Sequence, residues 1–185
     1  FAVKVLNQIL GGDYGSYINI NLREQHGYTY GARSYMGTDR FTAANFFVSV
    51  RVRNEVAAKS VVEILKEIKR IQTEDVSEQK LQEVKGQLIG SFVMSTQYPS
   101  TIADIAVTRE IQKLPEDFYS NYFKNIEAVT AADVKRVANK YIKYNNLRFI
   151  IVGKSSEFIK ELEQLKHNGK PLPIFYYDKY ANKIK

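Results

Sequence analysis

Phe46-Phe47-Val48-Ser49-Val50-Arg51-Val52-Arg53, followed at once by Asn54 and the run from Ala57 to Ile71, is where the periodicity of this chain changes. Phe46, Val48, Val50 and Val52 alternate with Phe47, Ser49, Arg51 and Arg53, the period of two that gives a strand one buried face. Behind Asn54, a good N-cap, the residues Ala57, Val61, Ile64, Leu65, Ile68 and Ile71 recur at helical spacing and predict a long helix with one apolar stripe. Upstream, Tyr28 to Met36 is also rich in β-branched and aromatic residues. With Gly37, Thr38 and Asp39 between the two runs, 28–36 and 41–53 are expected to pair as a β-hairpin with one face buried.

The remaining elements follow outward from this hairpin. Val3, Leu6 and Leu10 have helical spacing, and Gly11-Gly12 stands where a left-handed C-cap is wanted. Asp13 or Ser16 can cap a second helix that runs to Gln25, and Gly27 stops it and lets the chain reverse. Downstream, Ser77 opens a helix with Leu81, Val84, Leu88 and Phe92 on one side, interrupted at Tyr98-Pro99. Residues 100–113 read as helical, Pro115 suits the first position of a helix through Ile126, and Thr130 with Asp133 has the signature of a capping box before Val134. A strand is expected at Leu147 to Val152, then a helix from Ser155 and an extended tail containing Pro171 and Pro173. Strands grouped apart from helices predict an α+β fold, an antiparallel or mixed sheet covered by helices on one face. The organisation expected is one domain over residues 1–168 and a tail over 169–185.

A chain of 185 residues, 44% of them apolar, can bury a core unaided. The absence of cysteine removes disulfides, thiolate metal sites and cysteine nucleophiles together, without separating a reducing compartment from a bacterial periplasm. No apolar run reaches the roughly 18 residues that a membrane span needs. Because the chain begins at Phe1, inside what reads as a helix, the natural protein is expected to extend upstream, with its targeting information there. The compartment is therefore open, the bacterial periplasm and a membrane-associated setting included. The formal charge of +7 is dispersed among Glu residues along the helices, and no basic segment is interleaved with aromatics, so a nucleic-acid partner is not expected.

Catalytic apparatus is sparse. His26 and His167, the two histidines, lie far apart and have no H-E-x-x-H spacing, so no metal ligand set is expected in this chain. Gly11, Gly12 and Gly15 match neither a dinucleotide fingerprint nor a P-loop, and no G-x-S-x-G elbow is present. The exception is Asn21-Leu22-Arg23-Glu24-Gln25-His26-Gly27-Tyr28-Thr29-Tyr30-Gly31. Arg23 falls near a helix end, Gly27 turns the chain, and Tyr28 and Tyr30, two apart, would share one face of a strand. A guanidinium and a phenol aimed together can bind a peptide carbonyl or the oxyanion formed from it. Equally, Arg23 can be surface charge and the tyrosines plain strand residues.

At this segment the chain resembles the pitrilysin/insulinase family of zinc metallopeptidases, in particular the branch of the mitochondrial and bacterial processing peptidases. The resemblance rests on Leu10-Gly11-Gly12, Ser16, Leu22-Arg23-Glu24, Gly27 and Tyr30. Val76 to Leu81, Leu114 to Tyr119, Val129 to Val134 and Ile150 to Gly153 extend it to about residue 165. It implies a C-terminal-type domain in which Arg23 and Tyr30, with Tyr28 as a second candidate, hold substrate near the scissile bond. In such enzymes zinc and the catalytic glutamate come from an inverted H-x-x-E-H motif in an N-terminal domain, and this chain has no such motif. The implied partners are therefore a peptide or protein substrate and a zinc-bearing domain or subunit. Zn2+ would belong to the assembled enzyme, and this chain by itself would be inactive. The alternative implied by the same family is a non-catalytic relative that keeps the fold for assembly.

Overall fold

The computed structural model describes residues 1–38, 40–167 and 169–184. Asp39, expected between the two strands, lies outside them. In chain order the elements begin with α1 (Ala2–Asn7), which runs into a π-helical turn at Gln8–Gly12, and α2 (Tyr17–Asn19), which runs into a second such turn at Ile20–Gln25. The hairpin is β1 (Ala32–Met36) and β2 (Phe46–Val50), and α3 (Ala57–Thr73), α4 (Glu78–Ser95), α5 (Pro99–Gln112), α6 (Tyr122–Glu127) and α7 (Ala131–Tyr141) follow. A short α8 (Ile159–Glu163) and a two-residue pair, β3 (Lys166–His167) with β4 (Lys170–Pro171), come last.

The expected α+β architecture is what forms. β1 and β2 are antiparallel, with Ala32 opposite Val50 and Tyr35 opposite Phe47. Ala32 and Ser34 are buried on the inner face, where Met36, Phe46, Val48 and Val50 pack against the core, while Arg33, Tyr35, Phe47 and Ser49 face outward. The inner face lies on α1, and α1 in turn packs on α7, as does α3. The core these elements share includes Leu6, Ile9, Leu22, Ile68, Leu81, Ile126 and Val134, each at most 2% exposed. Buried polar groups tie the layers. Gln72 of α3 donates to the carbonyls of Ala138 and Ile142 (3.1 and 2.8 Å), and the buried Lys85 ammonium donates to Glu127 O at 2.8 Å, at the end of α6. Such bonds are needed because an unpaired polar group in the core costs about 1–3 kcal/mol.

Four local expectations are overturned. Gly11-Gly12 is no left-handed cap: Gly11 has φ −160°, and its role is close approach, since a Cβ there would stand 2.5 Å from the Ser34 backbone nitrogen. Pro115 opens a series of turns, and helix begins only at Tyr122, where Tyr122 packs on Phe92 with ring centroids 4.3 Å apart. Tyr28 and Tyr30 precede β1 and do not lie on a strand. Residues 147–152, expected as a strand, alternate in burial, with Ile150 and Val152 90% and 95% exposed, but no neighbouring strand among the described residues pairs with them, so they stay extended without a ladder. A strand is defined by its partner, and an alternating pattern alone cannot supply one.

The capping box at α7 forms in full. The Thr130 hydroxyl accepts from the Asp133 N–H, and the Asp133 carboxylate accepts from the Thr130 N–H and hydroxyl. Hydrogen bonds from Arg136 and Thr130 hold the Asp133 carboxyl at about 2, well below its ordinary 3.8. A depressed carboxylate pKa stabilises the fold above the unfolded value and loses that contribution as pH falls through the folded one. Thr130→Ala should cost about 1 kcal/mol at neutral pH. It should also flatten the acid limb of urea-unfolding midpoints between pH 3.8 and about 2. An unchanged acid limb would remove the cap from the account.

Candidate functional site

The segment from Asp13 to Gly31 is held in place from both ends. Asn19, fully buried, acts as a clamp: its amide nitrogen donates to the carbonyls of Asp13 (2.6 Å) and Ala32 (2.7 Å), and its oxygen accepts from the Ala32 N–H at 2.8 Å. One side chain thus fixes the loop before α2 to the first residue of β1. Asn21 donates to Glu67 and Glu63 of α3 at 2.7 and 3.2 Å, docking the second π turn on that helix. Burial would raise the Glu63 carboxyl, but hydrogen bonds from Lys66 and Asn21 outweigh it and hold its pKa below the ordinary carboxylate value. Leu22, whose side chain is wholly buried, anchors the turn on which Arg23 rides.

Beyond the turn, Gly27 has φ +61°, a backbone state that costs a side-chain-bearing residue about 1 kcal/mol or more, and the chain reverses there as expected. Tyr28 N–H donates back to Leu22 O at 2.8 Å, closing the reversal. Tyr28 is half-buried against the core and stacks on His26 at 4.9 Å, while His26 Nε2 lies 3.6 Å from Glu63. The Thr29 hydroxyl donates to Gly31 O (2.9 Å) and to Arg51 O (2.8 Å) and accepts from the Gly31 N–H at 3.1 Å. Tyr30 sits between these braces and is 96% exposed.

Arg23 is also at the surface. Its Nε pairs with Glu24 at 3.3 Å, and its guanidinium carbon lies 5.3 Å from the centre of the Tyr14 ring. Arg33 of β1 covers the same ring at 4.4 Å. Tyr14 and Arg33 were not singled out from sequence. Tyr14 stands inside Gly12-Asp13-Tyr14-Gly15, a local signal for a turn and nothing more. Of the expected residues, Arg23 and Tyr30 are both placed at the surface of one braced segment, and Tyr28 is turned inward; among the described residues no contact joins Arg23 to either tyrosine.

The described residues hold no group of three or more His, Cys, Asp or Glu side chains positioned for a metal ion. His167 stacks beside Tyr144 at 4.8 Å, and its buried Nε2 has no partner among the described residues. These residues do not fit a zinc ion. No helix of the described residues is long and apolar enough to cross a membrane.

This architecture, two π-turned helices leading through a braced loop into an antiparallel hairpin backed by long helices, defines an α+β domain with no metal-binding cluster among the described residues. Residues 1–88 match the family model described as the peptidase M16 inactive domain, so this part of the chain is similar to a C-terminal-type domain of the pitrilysin/insulinase (M16) family. Solved structures share the fold. The peptidase M16 inactive domain from Pseudomonas fluorescens is 24% identical with a TM-score of 0.68, over 77% of this chain and 34% of that one. A putative zinc protease from Bordetella pertussis is 12% identical with a TM-score of 0.60, over 76% of this chain and 77% of its own. The periplasmic protease PqqL from Escherichia coli is 18% identical with a TM-score of 0.62, over 76% of this chain and 15% of that one. This chain therefore spans about a third of the Pseudomonas fluorescens structure. No curated protein is significantly similar to it in sequence.

Proposed function

We propose that this chain is the substrate-holding domain of a zinc-dependent endopeptidase. Arg23 and Tyr30 bind the peptide beside the scissile bond, and zinc and the catalytic glutamate come from another domain or subunit. The observation that carries this reading is Tyr30: a phenol 96% exposed on a backbone pinned by Thr29 on one side and by Asn19, through Ala32, on the other. Holding a tyrosine out in water on a rigid loop gives the fold nothing, whereas a preformed donor lowers the entropy cost of binding a ligand. Arg23, seven residues earlier, keeps most of its five N–H donors free after its contact with Glu24.

Chemically, the two groups are suited to the carbonyl of a bound peptide. When water attacks that carbonyl, its oxygen gains negative charge, and a guanidinium and a phenol O–H aimed at it stabilise the transition state more than the ground state. Zinc in the partner domain would supply activation of that water. Similarity to a putative zinc protease supports the metal, and similarity to a periplasmic protease supports a periplasmic setting.

A second reading, a non-catalytic relative kept for assembly, is favoured by the matched model being that of an inactive domain. Activity separates the two. In the full-length, assembled protein, Arg23→Ala and Tyr30→Phe should each lower kcat/KM on peptides with zinc content unchanged. Turnover equal to wild type in both variants would reject the substrate-holding role.

A further inference from the structure

The outward face of the hairpin continues from the loop that carries Tyr30, and its chemistry is uniform. In register, Arg33 lies opposite Ser49 and Tyr35 opposite Phe47, and Arg51 is the next outward residue beyond Ser49. Arg51 is thus the diagonal neighbour of Arg33 on the same face, about 7–8 Å away by strand geometry. Tyr35 and Phe47 form a ring pair at 5.2 Å and are 54% and 51% exposed. At the other end Arg33 lies over Tyr14, whose ring Arg23 also approaches.

The charges on this face are unbalanced. Arg23 has Glu24 as its ion-pair partner, and Arg53, farther along, has Glu55 at 2.9 Å. Among the described residues Arg33 and Arg51 have no ion pair, and none of the outward residues Arg33, Tyr35, Phe47, Ser49 and Arg51 is acidic. Arg33 spends one N–H on the carbonyl of its neighbour Ala32 at 3.0 Å. The remaining forks point to a carboxylate ligand, and the ring pair beside them to an apolar or aromatic side chain.

We propose that the outer face of the β1–β2 hairpin is a specificity subsite for peptides in which acidic residues flank an aromatic one, with Arg33 and Arg51 binding the carboxylates and Tyr35 and Phe47 the ring. It rests on the substrate-holding reading and names the class of substrate held. A peptide running from Tyr30 along β1 meets Arg33 before Tyr35, so charge recognition lies nearer the reacting carbonyl than ring recognition. Two exposed ion pairs, each contributing a few-fold, give an expected preference of about fivefold to tenfold, weakened by salt.

The test measures Kd by fluorescence anisotropy on the full-length protein in its native assembly. Three labelled 12-residue peptides serve as probes, identical except that the residues flanking one Phe are Glu, Gln or Lys. The Glu peptide should bind about fivefold to tenfold tighter than the Gln peptide, and the Lys peptide weakest. Arg33→Gln with Arg51→Gln should bring the Glu and Gln peptides together while leaving the Gln peptide unchanged. Phe47→Ser should weaken Glu and Gln peptides by the same factor. Equal binding of the three peptides by wild type, or a preference that survives the double arginine variant, overturns the proposal. So does a 15-nucleotide oligo-dT that outcompetes the Glu peptide and depends on the same arginines, since the face would then be one for single-stranded nucleic acid. Turnover of Arg23→Ala and Tyr30→Phe is read separately: wild-type turnover there rejects the substrate-holding role, while the ratio of peptide affinities still reports on Arg33 and Arg51.

Discussion

Arg23→Ala should, on the substrate-holding role proposed above, reduce kcat/KM of the full-length, assembled protein on peptides by about 100- to 1,000-fold, the range seen when one preorganised oxyanion donor is removed. Stability should hardly move. The side chain is 41% exposed, and within the domain it loses only a surface pair with Glu24 and a contact with Tyr14. Surface pairs of this kind contribute about 0–1 kcal/mol. A fall in kcat with KM unchanged would place the interaction in the transition state, and a rise in KM alone would make Arg23 a binder of the ground state. Steady-state kinetics with parallel thermal melts decides between these outcomes; full activity would end the catalytic assignment.

Asn19→Ala should be the most damaging single change to the architecture of the site. The buried amide holds both backbone groups of Ala32 and the carbonyl of Asp13; its removal strands the two Ala32 groups, while Asp13 O keeps the Ser16 hydroxyl at 2.6 Å. At about 1–3 kcal/mol for each of the two stranded groups, partly relieved by entry of water, the loss should be about 2–4 kcal/mol in urea unfolding. Activity should fall with it even where the variant remains folded, because Tyr30 rides on the strand entry that Asn19 fixes. A loss below about 1 kcal/mol would mean that the clamp is dispensable. Together the two variants separate the proposed substrate contact of Arg23 from positioning of the loop by Asn19.

Much of the framework was legible in sequence for local reasons. The stripe of α3, the helix opened by Ser77, the Thr130 and Asp133 box, and the inward alternation of Phe46, Val48 and Val50 each express a period or a cap, and the fold follows them. Where an element depends on a distant neighbour, sequence reading goes astray. Residues 147–152 alternate in burial but have no partner strand among the described residues, and Gly11 serves the approach of Ser34 from 23 positions away, not a helix end. The helix expected from Pro115 gives way to turns that bring Phe118 to within 5.0 Å of Phe1.

The segment with which the chain met its family match shows the same division. Arg23, Gly27 and Tyr30 are recognisable by identity and spacing, and the left-handed backbone at Gly27 follows from its lack of a side chain. Their surroundings are not written locally. That Tyr28 packs inward while Tyr30 stands in water, that Asn19 clamps the strand entry, and that Arg23 and Arg33 meet on the Tyr14 ring are consequences of tertiary contact. Sequence alone determined most of the elements and singled out Arg23 and Tyr30, because periodicity, caps and glycine conformations act within a few residues. Only the folded chain decided which side chains share a surface, because burial and hydrogen-bond satisfaction are settled between segments far apart in sequence.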